Sequence, residues 1–212
     1  MPVLYKDFLP NGSIIGVWQI TEPVDELYNM VKLTLEEEAT MLTYKNENRR
    51  KHWLSYRTLI QELINEHYHI SYTDFGKPFL KLQKSNHHIS ITHSGEYSAV
   101  IINENLSVGI DIEEPGKRIE RVTERFLSDK EIAFIDNDNK WNHLTVCWTV
   151  KEALFKIHGN LCYDFKTEIF INPFPYAENG ELDCIIYDDG KPQYYKVNYH
   201  KINSHFLAYV TA

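Results

Sequence analysis

"LSVGIDIEEPGK", residues 106–117, alternates strictly: Leu106, Val108, Ile110 and Ile112 fall between Ser107, Gly109, Asp111 and Glu113. A strand sends every second side chain to the same face. The segment therefore predicts a strand with one apolar face and two like-charged neighbours, Asp111 and Glu113, on the other. Pro115-Gly116 ends it as a turn. Two readings of the acid pair are open. It is a strand face turned to water, or a pair of hard oxygen ligands whose repulsion a divalent cation such as Mg2+ relieves.

Outward from this strand, "HHISIT" (87–92) and "EYSAVII" (96–102) predict two more, joined at Ser94-Gly95 and at Asn103-Glu104-Asn105. "TDFGKP" (73–78) reads as a turn. Apolar residues Trp53, Leu59, Ile60, Leu63 and Ile64 predict a helix from about Asn46 to His67, and Leu27, Met30, Val31 and Leu35 another over 24–42. The amino terminus reads strand, turn (Pro10-Asn11-Gly12), strand. Downstream, Ile119, Val122 and Phe126 mark a helical stripe, Ser128 an N-cap, and "HLTVCWTVKEALFKIHG" (143–159) a helix closed by Gly159. Four strands follow, "TEIFI", "LDCIIY", "QYYKVNYH" and "HFLAYVTA", with hairpin turns at Asn179-Gly180 and Asp189-Gly190.

Both halves run helices first and strands later. Each contains Gly-Lys-Pro (76–78, 190–192) and a His before a short apolar strand, His93 and His205. The fold class expected is α+β: two similar α+β subdomains in tandem, related by a pseudo-twofold, each with a small, mostly antiparallel sheet packed against helices. Their boundary divides the chain into 1–105 and 106–212, the second part carrying the acid strand. Gly-Lys-Pro is also a common turn, so duplication stays open at this point.

The chain has 212 residues, enough for one large domain or two of about 100 residues each. Lys plus Arg number 22 against 30 Asp plus Glu, a net charge of −8, which argues against a nucleic-acid partner. No apolar run approaches the roughly 20 residues of a membrane span. Cys147, Cys162 and Cys184 lack CxxC spacing and read as free thiols in a reducing compartment, with the cytoplasm as the expected location.

A second acidic element lies in "WTVKEALFK" (148–156). On a helix Glu152 and Lys156 stand one turn apart, with Trp148 a turn earlier. They read either as a helix-stabilising pair, worth about 0.3–0.5 kcal/mol, or as a third carboxylate for Mg2+ and a partner for the phosphates it binds. Arg50 and Arg57, Lys77 in its stiff turn, and His93 between Thr92 and Ser94 suit a phosphate-rich ligand. Each also has an ordinary structural reading.

The ordered set "FGKP", "ITHSGEYSAV", "VGIDIE", "RFLSDKE" and "WTVKEALFK" resembles the 4′-phosphopantetheinyl transferases, and is most similar to their larger, pseudo-duplicated class. The resemblance spans roughly Lys45 to Lys156, with Thr92 where the family usually has Ser. It implies transfer of phosphopantetheine from coenzyme A, the co-substrate, to a serine of an apo acyl or peptidyl carrier protein. Adenosine 3′,5′-bisphosphate is released, and the carrier serves fatty-acid, polyketide or nonribosomal peptide biosynthesis. By similarity Asp111, Glu113 and Glu152 hold Mg2+. Lys156 offsets charge on the pyrophosphate, and Glu152 is the candidate base, as a metal ligand, a base or both. Lys77, Thr92, His93 and Arg57 hold phosphates, Arg57 meeting the 3′-phosphate. Lys45 and Arg49 or Arg50 correspond to the family's adenine-side basic residues, with a different spacing. A monomer is expected.

Gly109, on the same strand face as Asp111, is expected to leave room for the pyrophosphate. Arg118, Arg121 and Arg125 form a basic stripe beside Ile119 and Val122. The stripe is a docking face for an acidic carrier helix or a solvated helix face. Among rivals, a Mg2+ nuclease would want a Lys where Glu114-Pro115 follows Glu113, and a zinc enzyme finds no HExxH or paired Cys. A non-catalytic module binding coenzyme A or a carrier protein is the alternative from another class.

Overall fold

The computed structural model describes residues 3–64, 66–159 and 163–212. Cys147 and Cys184 are free and buried, while the thiol expectation for Cys162 lies outside the described residues. The first half runs β1 (Val3–Phe8), β2 (Ile14–Gln19), α1 (Val24–Met30), α2 (Leu35–Thr43), α3 (Glu47–Leu63), β3 (His69–Tyr72), β4 (Pro78–Lys81), β5 (Asn86–Ser94) and β6 (Tyr97–Asn103). The second runs β7 (Val108–Glu113), a 3-10 turn (Lys117–Arg121), α4 (Thr123–Phe126), α5 (Asp129–Ile132), α6 (Lys140–His158), β8 (Ile169–Ile171), β9 (Asn179–Asp188), β10 (Lys191–Ile202) and β11 (His205–Thr211).

Two antiparallel sheets result, ordered β1-β2-β6-β5-β4-β3 and β7-β11-β10-β9-β8. Apart from β1, the two orders are the same. The first strand of the half pairs with the last, and the others run outward as a meander. The packing under the long helix repeats as well. A Cβ at Gly16 on β2 would stand 2.8 Å from the Leu59 side chain on α3, and one at Gly109 on β7 would overlap the Ala153 carbonyl on α6. Superposing the two glycines in sequence puts Trp18, a core residue, where β7 carries Asp111. The acidic face thus belongs to the second half alone.

The α+β architecture agrees with the sequence, but two echoes that suggested it are not equivalences. Gly76 precedes β4, the second strand of its meander, and Gly190 precedes β10, the third of its own. Both glycines have positive φ (+80° and +74°), so Gly-Lys-Pro marks tight turns in both places. His93 lies before its hairpin turn and His205 after its own.

Several elements differ from expectation. The helix over 24–42 is two helices, because Thr34 and Glu37 form a capping box that starts α2 afresh. α3 stops at Leu63, and β3 and β4 add a hairpin around the 73–78 turn. Asn179-Gly180 is strand, paired with His200 and Tyr199. The stripe from Ile119 to Phe126 is a 3-10 turn and a short helix instead of one continuous helix.

Three apolar clusters hold the molecule together. α3 packs on the first sheet through Leu54, Leu59 and Ile60, and α6 on the second through Val150 and Leu154. The third cluster lies between the sheets, where Ile15, Val17 and Ile101 meet Val108, Ile110 and Leu207. Each such fully buried side chain contributes about 1.5–3 kcal/mol. The apolar face of β7 therefore packs on the first sheet, and the face bearing Gly109, Asp111 and Glu113 turns to α6. Lys151, fully buried, pairs with Glu131 at 2.8 Å and donates to the carbonyls of Phe126 and Phe165, tying α5 to α6. Among the described residues no helix is long and apolar enough to cross a membrane.

Candidate active site

Asp111 is the meeting point of the two halves. It pairs with Ala208 on β11, and its side chain is 5% exposed. Oδ1 accepts from the Thr92 hydroxyl of β5 at 2.8 Å and from the Lys156 ammonium of α6 at 2.6 Å. Oδ2 is buried and has no hydrogen-bond partner. Burial pushes the Asp111 carboxyl up, with Lys156 and Thr92 opposing. Two residues along the same strand face, Glu113 accepts from the Ser94 hydroxyl at 3.1 Å. Its carboxyl is raised by burial and then by Asp111.

Glu152 and Lys156 reach this strand because α6 lies directly on it. The Cβ that Gly109 lacks would stand 3.0 Å from the Ala153 carbonyl carbon and 3.1 Å from the Ile157 nitrogen. Gly109 therefore makes room for the α6 backbone. The expectation that it makes room for the pyrophosphate is corrected, since that space is filled by the helix. With α6 this close, Glu152 is pushed up to about 7 by burial, then by Asp111 and Glu113, against the pull of Lys156. Lys156 also donates to the Ile110 carbonyl at 3.1 Å.

The β5–β6 turn presents Thr92 and Ser94 on one face, as strand alternation requires, and His93 on the other. The His93 ring stacks on His52 of α3, with centroids 4.2 Å apart and planes 12° apart. His93 is held down to about 4 by burial of its inner side, then by His52, Lys156 and Arg49. Lys77 donates to the Ile157 carbonyl at the end of α6, and its stem lies against Gly159, where a Cβ would stand 2.5 Å away. Burial lowers the Lys77 ammonium. Lys77 and Lys156 line one groove of about 200 Å³, with Phe75, Pro78, Ile91 and Phe155 as its apolar walls.

Asp111, Glu113, Glu152, Lys156, Thr92, His93 and Lys77 are thus brought together. Arg57 is not. Its guanidinium lies 3.4 Å from the Trp53 ring centroid, is buried, and pairs with Glu37 at 3.3 Å. Arg50 donates to the Tyr44 carbonyl at 2.7 Å, Arg49 lies over the Tyr44 ring at 4.4 Å, and Lys45 is exposed between α2 and α3. Arg118 and Arg121 are exposed on the 3-10 turn, whereas Ile119 and Val122 pack against the α6 core. A larger groove of about 440 Å³, near Lys32, Gln61 and Tyr68, contains none of these residues. Ser94 and His52 were missed as site residues. Alternation with Thr92 marked Ser94 in the sequence, but no local pattern marked His52, which meets His93 only through the fold.

Hard carboxylate oxygens buried together, Asp111 raising Glu113 and both raising Glu152, and including one orphaned oxygen, suit a divalent cation. Among the described residues no three His, Cys, Asp or Glu side chains already stand where they could hold one ion, and Lys156 neutralises Asp111 instead. Residues 107–210 match the family model of the 4′-phosphopantetheinyl transferase superfamily. The matched stretch covers β7 through nearly all of β11, including Asp111, Glu113, Glu152 and Lys156. No curated protein matches the chain.

Proposed function

We propose that this chain transfers 4′-phosphopantetheine from coenzyme A to a serine hydroxyl of an apo acyl or peptidyl carrier protein, in the presence of Mg2+. The observation that carries the reading is Asp111, buried with Oδ2 unpartnered and bridged to Lys156, within the stretch that matches the superfamily. In the reaction the serine oxygen bonds to the β-phosphorus of coenzyme A. The bond from that phosphorus to the adenosine 3′,5′-bisphosphate oxygen breaks, and the serine proton leaves.

Asp111, Glu113 and Glu152 would hold Mg2+, which when bound neutralises charge on the pyrophosphate. Thr92 and Ser94 fix the rotamers of Asp111 and Glu113 by donating to them. Lys156, whose side chain is 27% exposed, supplies a positive charge beside the departing oxygen. Glu152 is the carboxyl on α6 that would receive the serine proton. Lys77 and His93 hold the phosphates, with Arg49, Arg50 and Lys45 on the outer side. Thr92 has no part in holding them, because its single hydroxyl proton is donated to Asp111. Arg57 has no part in this reading, because its guanidinium is committed to Glu37 and Trp53. Arg118 and Arg121 would meet an acidic helix of the carrier through charge alone.

The strand order common to the two sheets supports the larger, pseudo-duplicated class; the division at residues 1–105 and 106–212, and action as a cytoplasmic monomer, belong to the proposal. Release of adenosine 3′,5′-bisphosphate from coenzyme A, dependent on both Mg2+ and an apo carrier, tests the proposal. Tight coenzyme A binding with no release would make the chain a binding module instead.

A further inference from the structure

His52 has no role in the function proposed above, yet it touches the β5–β6 turn twice. Its ring covers one face of His93, and its Nε2 lies 2.8 Å from the Gly95 carbonyl. A carbonyl oxygen can only accept, so Nε2 carries the proton and donates. The turn is gripped from the opposite side as well. Gly95 has φ +55°, and a Cβ there would stand 3.3 Å from His205 Nε2 of β11. The His205 ring packs edge-on against Tyr97 at 4.6 Å, and Asn203 donates to the Tyr97 hydroxyl at 3.1 Å. The backbone of the turn is therefore clamped between α3 and the second sheet. What the clamp leaves free is rotation of the His93 imidazole, since such terminal torsions are broad.

We infer that His52 is a positioning residue. By stacking on His93 and anchoring itself to the Gly95 carbonyl, it holds the His93 ring in one plane, with its nitrogen edge turned to the phosphate end of the ligand. That the ligand carries phosphates, and that it is coenzyme A, rests on the function proposed above. The gain is pre-organisation: a ring already held in its bound orientation loses no rotor freedom when the anion arrives. The charged groups facing His93 are Arg49 and His52 of α3 and Lys156 of α6, so the anion meets a cationic surface whichever ring is protonated.

Three proteins test this: wild type, His52→Ala and His52→Phe, the last keeping an aromatic face for His93. His52→Ala should raise KM for coenzyme A roughly 3- to 10-fold, the worth of one aromatic pair, with kcat changed by less than about twofold. His52→Phe should restore KM to within about twofold of wild type. The His93 imidazole, followed by NMR in the absence of ligand, should titrate near 4 in wild type and move up in His52→Ala, while staying below the ordinary imidazole range because burial, Lys156 and Arg49 still hold it down. An unchanged KM and an unchanged His93 titration in His52→Ala would overturn the inference, as would His52→Phe behaving like His52→Ala. If wild type does not bind coenzyme A at all, the proposed function fails while the His93 titration still decides the positioning role.

Discussion

Replacing Glu152 with Gln should stabilise the cation-free protein at pH 8 while removing transfer. The carboxyl is pushed from 4.5 to about 7 by burial and by the neighbouring Asp111 and Glu113. A raised carboxyl lowers stability where it is ionised. Well below 4.5 it is protonated in both folded and unfolded chains and contributes nothing. As pH rises from 4.5 to 7 the unfolded chain releases the proton first, so stability falls, and it stays lowered above 7. At about 1.36 kcal/mol per pKa unit this amounts to roughly 3 kcal/mol, trimmed to about 2–3 kcal/mol by the solvent that still reaches the group. Gln resembles the protonated acid and escapes the penalty. For a chain of this size about 1 kcal/mol shifts Tm by roughly 2–4 °C, so the variant should melt roughly 5–10 °C above wild type at pH 8. Thermal melts in EDTA at pH 4.5 and pH 8 provide the assay. The two proteins should nearly coincide at the lower pH, and Mg2+ should raise wild type alone at the higher. A variant that melts below wild type at pH 8, or a gap independent of pH, would refute the crowding of carboxylates on which the reasoning stands.

Gly109→Ala should destabilise the fold by about 3 kcal/mol or more, because the new methyl overlaps the Ala153 carbonyl. Transfer should fall in the same variant, since Glu152 and Lys156 ride on the displaced helix, and melts with kinetics on the folded fraction check both. Arg57→Met should lower stability by about 2–4 kcal/mol, through loss of the Trp53 contact and the buried Glu37 pair, and leave KM for coenzyme A within about twofold. Reversing Arg118 and Arg121 to Glu should raise KM for the carrier about tenfold and flatten its salt dependence, with coenzyme A kinetics as the unaffected control. Lys151→Met should cost about 3–5 kcal/mol in a urea titration by leaving the Glu131 carboxylate buried and unpaired.

Periodicity carried the sequence reading furthest where one face is buried. The alternation of residues 106–113 gave β7 and its two faces correctly, and the three-and-four spacing after His143, with Gly159 at φ +63° closing it, gave α6. It failed where local chemistry overrode the pattern. Thr34 and Glu37 cap a new helix inside an apolar stripe, and Asn179-Gly180 is held in a strand by its pairing with β10. The acids, the lysine and the Thr92 hydroxyl that the structure brings together were legible because they lie on regular elements whose spacing sets their direction. Gly109 and Arg57 were misjudged for the opposite reason. What a glycine makes room for, and whether an arginine on a helix meets a ligand or a tryptophan, depends on the element packed above it. His52 depends on a contact across 41 residues of chain, from position 52 to 93, which no periodicity encodes.

The central claim is tested most directly by weighing a panel of apo carrier proteins after incubation with this protein, coenzyme A and Mg2+. At least one carrier should gain the mass of a single phosphopantetheine on its serine, and the gain should vanish with Asp111→Ala. A panel of fatty-acid, polyketide and peptide carriers that all keep their apo mass would contradict the account.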